Sequence, residues 1–212
     1  FKSRIIPYID VLDGFASEVG AVNTVVIKNG RLYGYNTDGP GFTKGLLSIA
    51  EQIDNKNILI IGAGGAARGI YFALAKMGVA KLDLTNRTII SAEKLLADYQ
   101  GDINSEALSL AEAERSLGHY DIIIQTTSVG LADVNASPLS LSKLNQNAIV
   151  CDIIYNPLQT RILREAKERG NKVQNGIDMF VNQGALAFEL WTGIMPDTER
   201  MKQLVLQQLG GL

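Results

Sequence analysis

The chain has 212 residues, 46% of them hydrophobic and 20% charged, which suits one large domain or two small ones around a buried core. A formal net charge of −2 with no block of Lys or Arg argues against nucleic-acid and anionic-membrane surfaces, both of which need concentrated positive charge. A single Cys and a single His leave no internal disulfide and no thiolate–imidazole metal site, and no apolar run approaches the ~20 residues of a membrane helix.

The chain opens Phe1-Lys2-Ser3, with no initiator Met and no leader pattern, and reads like a cut made inside a larger protein. The first structural signal is a hairpin, Ala21 to Lys28 and Arg31 to Tyr35, flanking Asn29-Gly30, a pair that supplies the positive φ angles of a tight turn. Asn36-Thr37-Asp38-Gly39-Pro40 then breaks the strand and opens a short helix to about Ala50. From Lys56 strands and helices alternate. Asn57 to Ile61 (NILII) is a strand buried on both faces, and a glycine loop, Gly62 to Gly65, feeds a helix through about Met77. Lys81 to Thr85 alternates like a strand, Ile89 to Tyr99 reads helical, and Tyr120–Thr126 and Ala148–Ile153 are two more buried strands. Thr160 to Arg169 is a helix stopped by Gly170, and two further helices run from about Asp178 to Trp191 and Asp197 to Leu209. The alternation predicts an α/β fold with a doubly wound parallel sheet; the first 50 residues fall outside that pattern and read as the remnant of a smaller α/β domain, to which the last two helices return.

Gly62-Ala63-Gly64-Gly65-Ala66-Ala67 stands where a dinucleotide loop must stand, after a buried strand and at the start of a helix. The first glycine serves the tight turn, the second lets backbone approach a pyrophosphate, and a small residue at Ala67 suffices for helix–strand packing. The helix start then offers free N–H groups to the phosphates. Dinucleotide sites for NAD place Asp or Glu at the end of the second strand, about 20 residues on, for the ribose 2′-hydroxyl. This chain has Asn86-Arg87-Thr88 there, and an Arg fork with a hydroxyl beside it suits a 2′-phosphate, so NADP is the predicted cofactor. Arg68, on the first helix, is a further candidate for it, against the alternative of a surface residue.

Five ordered motifs together are similar to the shikimate dehydrogenase family: Gly20-Ala21-Val22-Asn23-Thr24, Asn36-Thr37-Asp38-Gly39, the GAGGAARG and NRT segments, Asp152-Ile153-Ile154-Tyr155-Asn156-Pro157, and Gly176-Ile177-Asp178-Met179 through Gln183-Gly184-Ala185. The resemblance implies reduction of 3-dehydroshikimate to shikimate with NADPH. It implies that Phe1-Lys2 ends the family's lysine segment, making Lys2 the catalytic lysine beside Asp38. Both would also touch substrate, with Asn23, Tyr155 and Gln183. The implied cofactor contacts are Gly62, Ala63, Gly64, Gly65, Ala66, Asn86, Arg87, Thr88, Thr126, Ile153, Gly176 and Met179. On the same resemblance residues 1–53 are the C-terminal part of a substrate domain, 54–175 the NADP domain and 176–212 the returning helices. The family's front, with a Ser-x-Ser motif for the substrate carboxylate, is not in this sequence, so the chain by itself is expected to be inactive or badly impaired.

The chemistry is consistent with the residue types. The cofactor supplies a hydride, and a Lys ammonium held by a carboxylate can polarise a ring ketone and protonate its oxygen. Amides such as Asn23 and Gln183 offer both donors and acceptors to the hydroxyls of a polyol acid. Plainer readings stand beside these. Asp38 can be an N-cap, Asn23 can serve backbone next to the hairpin, Tyr155 and Met179 can simply pack, and His119 reads as a surface loop residue. The expected partner is a small-molecule substrate, with neither nucleic acid nor membrane; a homodimer is compatible, and the expected location is the cytoplasm. The rival readings are a quinate/shikimate enzyme preferring NAD and a non-catalytic NADP-binding module.

Overall fold

The computed structural model describes residues 2–211. A short 3-10 turn, Ile6–Tyr8, precedes β1 (Val11–Leu12), α1 (Gly14–Val19), β2 (Thr24–Lys28), β3 (Arg31–Tyr35) and α2 (Asp38–Leu46). The alternating part follows: β4 (Asn57–Ile61), α3 (Gly65–Leu74), β5 (Lys81–Thr85), α4 (Ile89–Asp98), β6 (Ala107–Leu108), α5 (Leu110–Ser116), β7 (Ile122–Gln125), β8 (Ile149–Asp152), α6 (Arg161–Glu168) and β9 (Lys172–Gln174). Two helices close the chain, α7 (Ile177–Thr192) and α8 (Thr198–Gln208).

Six strands form one sheet in the order β6-β5-β4-β7-β8-β9, every pair parallel. The sheet is the doubly wound arrangement anticipated from the alternation. The chain works outward from β4 through β5 to β6 and then returns to β7 on the other side of β4. The switch point of the topology therefore lies at the carboxyl ends of β4 and β7, where open α/β sheets bind their ligands. Ile58 to Ile61 and Ile122 to Ile124 are almost wholly excluded from solvent, as strands covered by helices on both faces must be. One apolar cluster joins Ile58 and Ile60 to α3, α4 and the α2 residues Phe42 and Leu46; a second joins Leu59 and Ile61 to α5 and α6.

The small sheet has the order β1-β3-β2, with β2 and β3 antiparallel across the turn at Asn29 and Gly30, whose φ angles are +52° and +73°. Helix α2 ties the two sheets together. Its glycines let neighbours come close: a Cβ on Gly39 would lie 2.4 Å from the Gly69 carbonyl oxygen of α3, and one on Gly41 would lie 2.7 Å from the Gln183 nitrogen of α7. Trp191, near the end of α7, donates its indole N–H to the Val25 carbonyl of β2 at 2.9 Å, so the last long helix leans on the first sheet.

Candidate active site

The turn after β3 builds the most polar buried cluster beside the glycine loop. Asn36 is buried and donates to the Ala21 carbonyl at 3.0 Å, while its Oδ1 accepts from the Asp38 N–H at 3.1 Å. This local bond starts α2 with the Asp38 carboxylate turned inward. Asp38 is not the N-cap: that position belongs to Thr37, whose side chain caps nothing. The carboxylate instead accepts from the Lys2 ammonium on one oxygen and from Asn23 Nδ2, at 2.9 Å, on the other. Asn23 Nδ2 also donates to Thr37 Oγ1 at 2.9 Å, and its Oδ1 accepts from the Thr37 N–H at 2.9 Å. Lys2 is anchored through its backbone too, since its carbonyl accepts from the Val22 N–H at 2.8 Å. The Asp38 side chain is 7% exposed and that of Lys2 40%, so a buried carboxylate holds an ammonium at the edge of solvent. Phe1, the neighbour of Lys2 in the implied lysine segment, lies outside the described residues.

Two cavities meet at Lys2, while Asp38 behind it lines neither. One, of about 750 Å³, is lined by Lys2, Ala63, Gly64, Gly65, Ala66, Ser91 and Lys94, among others. The second, of about 500 Å³, is lined by Lys2, Arg4, Ile5, Tyr8, Val22 and Asn23. Lys2 is the residue they share. The glycine loop is built for close approach. Gly62 has φ +117° and leaves 2.4 Å between an added Cβ and Thr126 Oγ1; Gly64, the N-cap of α3, has nothing within 4 Å of such a Cβ. No side chain caps α3 and no acid stands in its first turn, so its leading N–H groups and positive dipole end are open to an anion. Thr126 closes the loop from β7 by donating to the Ile61 carbonyl at 2.7 Å.

At the end of β5, Asn86 Nδ2 donates to the Thr88 carbonyl at 2.9 Å, folding the Asn86–Thr88 turn over the start of α4. The acid on β5, Asp83, is fully buried and occupied: it accepts from Tyr120 Oη at 2.5 Å and from the Glu106 N–H at 2.8 Å, and it pairs with Lys81 at 2.8 Å. No carboxylate on that strand is left for a ribose hydroxyl. Arg68 lines the glycine-loop cavity but its guanidinium is engaged, donating to the Val19 carbonyl, pairing with Asp98 at 2.6 Å and lying over the Phe72 ring at 5.0 Å.

The remaining anticipated residues cluster where β8 meets α7. Tyr155 stacks on Phe180 with ring centroids 4.4 Å apart, and Gln183 donates to the Phe180 carbonyl one turn back at 3.0 Å. Gly176 fits against the β8 turn so closely that a Cβ there would lie 2.0 Å from the Ile153 carbonyl oxygen. Met179 packs against the main apolar cluster. Thr126, Ile153, Tyr155, Gly176, Met179 and Gln183 line neither of the two cavities, nor do Asn86, Arg87 and Thr88. Conversely, the glycine-loop cavity takes in Ser91 and Lys94, three residues apart on α4, which sequence reasoning passes over because they read as a solvated helix face. His119 is exposed, as read from the sequence, and among the described residues no group of three His, Cys, Asp or Glu stands ready for a metal.

Asp152, at the end of β8, organises the turn beside Gly176. It is 1% exposed and accepts from Thr160 Oγ1 at 2.6 Å and from the Ile154 N–H at 2.9 Å, while the Ile154 carbonyl accepts from the Gly176 N–H at 2.9 Å. Burial raises its carboxyl from 3.8 to about 6, against the lowering effect of those two donors. The folded state thus binds this proton more tightly than the unfolded chain. The contribution of Asp152 to stability is most favourable below about 4 and is eroded as pH rises through about 6, by on the order of 3 kcal/mol. Thermal unfolding of wild type and Asp152→Asn from pH 4 to 7 checks this: the variant's stability relative to wild type should climb with pH across that window. A difference independent of pH would refute it.

Comparisons with known proteins identify relatives of the chain. A family model described as shikimate / quinate 5-dehydrogenase matches residues 46–158, and one described as the shikimate 5′-dehydrogenase C-terminal domain matches residues 176–206. A shikimate dehydrogenase (NADP(+)) of Bacillus cereus strain G9842 is 56% identical over 212 residues, covering 99% of this chain and 76% of the relative. The structure of shikimate 5-dehydrogenase from Thermus thermophilus in complex with NADP(H) and shikimate superposes with a TM-score of 0.87 at 37% identity, over 97% of this chain and 75% of that one. A quinate dehydrogenase of Corynebacterium glutamicum in complex with NAD has a TM-score of 0.91 at 28% identity, covering 97% and 74%.

Proposed function

The chain belongs to the shikimate 5-dehydrogenase family, and from that premise we propose that it carries out the reversible, NADP-dependent reduction of 3-dehydroshikimate to shikimate. The observation that supports this most is Lys2, held by the buried Asp38, standing where the glycine-loop cavity meets the cavity lined by Asn23. NADPH, when bound, supplies the hydride. The diphosphate suits the uncapped start of α3, with Gly62 to Ala66 leaving room for its oxygens. Arg87, with Asn86 and Thr88, takes the 2′-phosphate at the end of β5, where the acid is already consumed. Thr126, Ile153, Gly176 and Met179 belong to the nicotinamide side.

The protein's own part is to bind, orient and protonate. Lys2 points its ammonium at the ketone oxygen and stabilises the charge that develops there. As hydride reaches the carbonyl carbon, the Lys2–Asp38 pair gives one proton to that oxygen, and the alcohol forms. Asn23 is locked by its bonds to Thr37 and Asp38, so its amide meets a substrate hydroxyl without reorganising. Tyr155 and Gln183 serve further hydroxyl or carboxylate oxygens of the substrate. In this reading residues 1–53 and 176–212 serve the substrate and 54–175 the cofactor. No helix of the described residues is long and apolar enough to cross a membrane.

Shikimate-dependent reduction of NADP by the intact protein, followed by absorbance, tests the reading. Binding of NADP without turnover would favour a cofactor-binding module, and equal use of NAD would favour the quinate-type alternative. Arg87→Ala should raise the KM for NADP by about tenfold or more and leave that for NAD within about twofold, because the guanidinium acts on the phosphate alone. Parallel loss with both cofactors would overturn the role of Arg87.

A further inference from the structure

We infer that Gln174 is a positioning residue for hydride transfer, setting the direction of α2, and with it Asp38 and Lys2, against the large sheet; this rests on the function proposed above. Gln174 ends β9 and is buried. Its Nε2 donates to the Gly45 carbonyl in the last turn of α2 at 2.8 Å, between residues 129 positions apart in the chain. The same nitrogen lies 3.3 Å from Asp178 Oδ2 in the first turn of α7, and Asp178 Oδ1 accepts from the Lys202 ammonium of α8 at 2.7 Å. One amide thus gathers β9, α2 and α7 at the edge of the sheet, with α8 behind them.

Position in the chain gives this cluster its consequence. In the proposed division the chain crosses between the substrate part and the cofactor part twice, after α2 and between β9 and α7. Gly45 stands beside the first crossing and Gln174 beside the second, so their hydrogen bond ties the two crossings together. Among the described residues it is the one side-chain hydrogen bond from α2 to the large sheet. Helix α2 has nine residues, with Asp38 at its start and Gly45 in its last turn. Packing of Gly39 against Gly69 fixes the front of this short rod, and Gln174 fixes its back. On the sheet side Gln174 pairs in register with Cys151 of β8, close to Ile153 on the proposed nicotinamide side. Hydride transfer needs its reacting atoms about 3–3.5 Å apart, and an error of about 1 Å can cost about 10²-fold. The fold itself needs this bond less, because the Gly45 carbonyl also accepts from the Ser48 N–H at 3.1 Å and from Ser48 Oγ at 2.7 Å.

Single-turnover oxidation of NADPH by 3-dehydroshikimate in the intact protein tests this, with NADPH affinity and melting temperature measured alongside. Gln174→Met keeps the length of the side chain and removes the donor. Hydride transfer should slow about tenfold while NADPH affinity stays within about twofold, since the cofactor's contacts lie within one part. Gln174→Glu sets a carboxylate against the Gly45 carbonyl and Asp178, and should slow the step at least as much. Ser48→Ala takes a different donor from the same carbonyl without touching the sheet, and should transfer hydride at the wild-type rate. An equal loss in Ser48→Ala would reduce Gln174 to a cap of α2 and overturn its role. A Gln174→Met or Gln174→Glu protein that melts lower yet transfers hydride as fast as wild type would also overturn it, as would parallel loss of rate and NADPH affinity. In each of those cases the proposed function stands; absence of hydride transfer in the wild type would overturn both.

Discussion

Lys2→Met and Asp38→Asn are each expected to lower kcat for shikimate oxidation by about 10³-fold, and the double variant should be little worse than either single one. The reason is geometric. One Asp38 oxygen is taken by the Lys2 ammonium and the other by Asn23 Nδ2, so the carboxylate is the hub of a single unit. An Asn at position 38 has one acceptor oxygen for two donors and turns its own N–H groups against one of them. The lysine loses its tether, and Asn23 loses the partner that aims it. Removing Lys2 leaves a 7% exposed carboxylate with Asn23 as its one remaining side-chain partner and no ammonium where the cavities meet. Either change dismantles the same arrangement, which is why the losses should not multiply. NADPH affinity, measured by titration on the same variants, should stay within about twofold, because the phosphate contacts of the loop are backbone contacts. Independent losses reaching about 10⁶-fold in the double variant would show two separate functions in place of one pair.

The strands that form the middle of the large sheet are legible in the sequence, β4, β7 and β8 as apolar runs buried on both faces and β5 by its alternation. Asn57–Ile61 and Lys81–Thr85 have the limits read from the residues. The elements that escape are those whose signal is tertiary. β6 is two residues long and exists because β5 pairs with it, the Leu84 N–H reaching the Glu106 carbonyl and Asp83 taking the Glu106 N–H. β9, three residues long, is likewise fixed by its neighbour β8. Helix α5 did carry a local mark, since Ser109 and Glu112 form a reciprocal capping box, and α1 begins on the Asp13 cap. Neither segment has the apolar period that makes a helix conspicuous.

The site divides in the same way. The glycine loop is local, so its position after β4 and before α3 follows from sequence order alone. Lys2 and Asp38 are 36 residues apart, and no periodicity joins them; only the likeness to a family does. Ser91 and Lys94 differ again. Their spacing is visible in the sequence, but a serine and a lysine on a helix face mean nothing until the face is seen to border the loop.

Two glycine substitutions should separate packing from cofactor contact. Gly39→Ala ought to destabilise the protein by about 2–4 kcal/mol, although alanine is better than glycine inside a helix by about 1 kcal/mol. Its methyl group would lie 2.4 Å from the Gly69 carbonyl oxygen, 2.9 Å from Ala73 Cβ and 2.9 Å from Phe15 Cζ. The first of these is backbone of α3, which carries the glycine loop, and cannot yield by turning a side chain. Helices α2 and α3 must therefore move apart, taking Asp38 away from the loop, and kcat should fall along with the melting temperature. Gly64→Ala is the mirror case. Nothing stands within 4 Å of its added Cβ and its φ of −85° suits alanine, so the fold should be unaffected within about 0.5 kcal/mol. What the methyl group occupies is the space through which backbone meets the diphosphate, and NADPH affinity should drop by about tenfold or more. Melting curves and cofactor titrations on both variants give the crossed result directly. If Gly64→Ala kept full cofactor affinity, the diphosphate would not lie against this loop, and the placement of the cofactor proposed for the chain would fail with it.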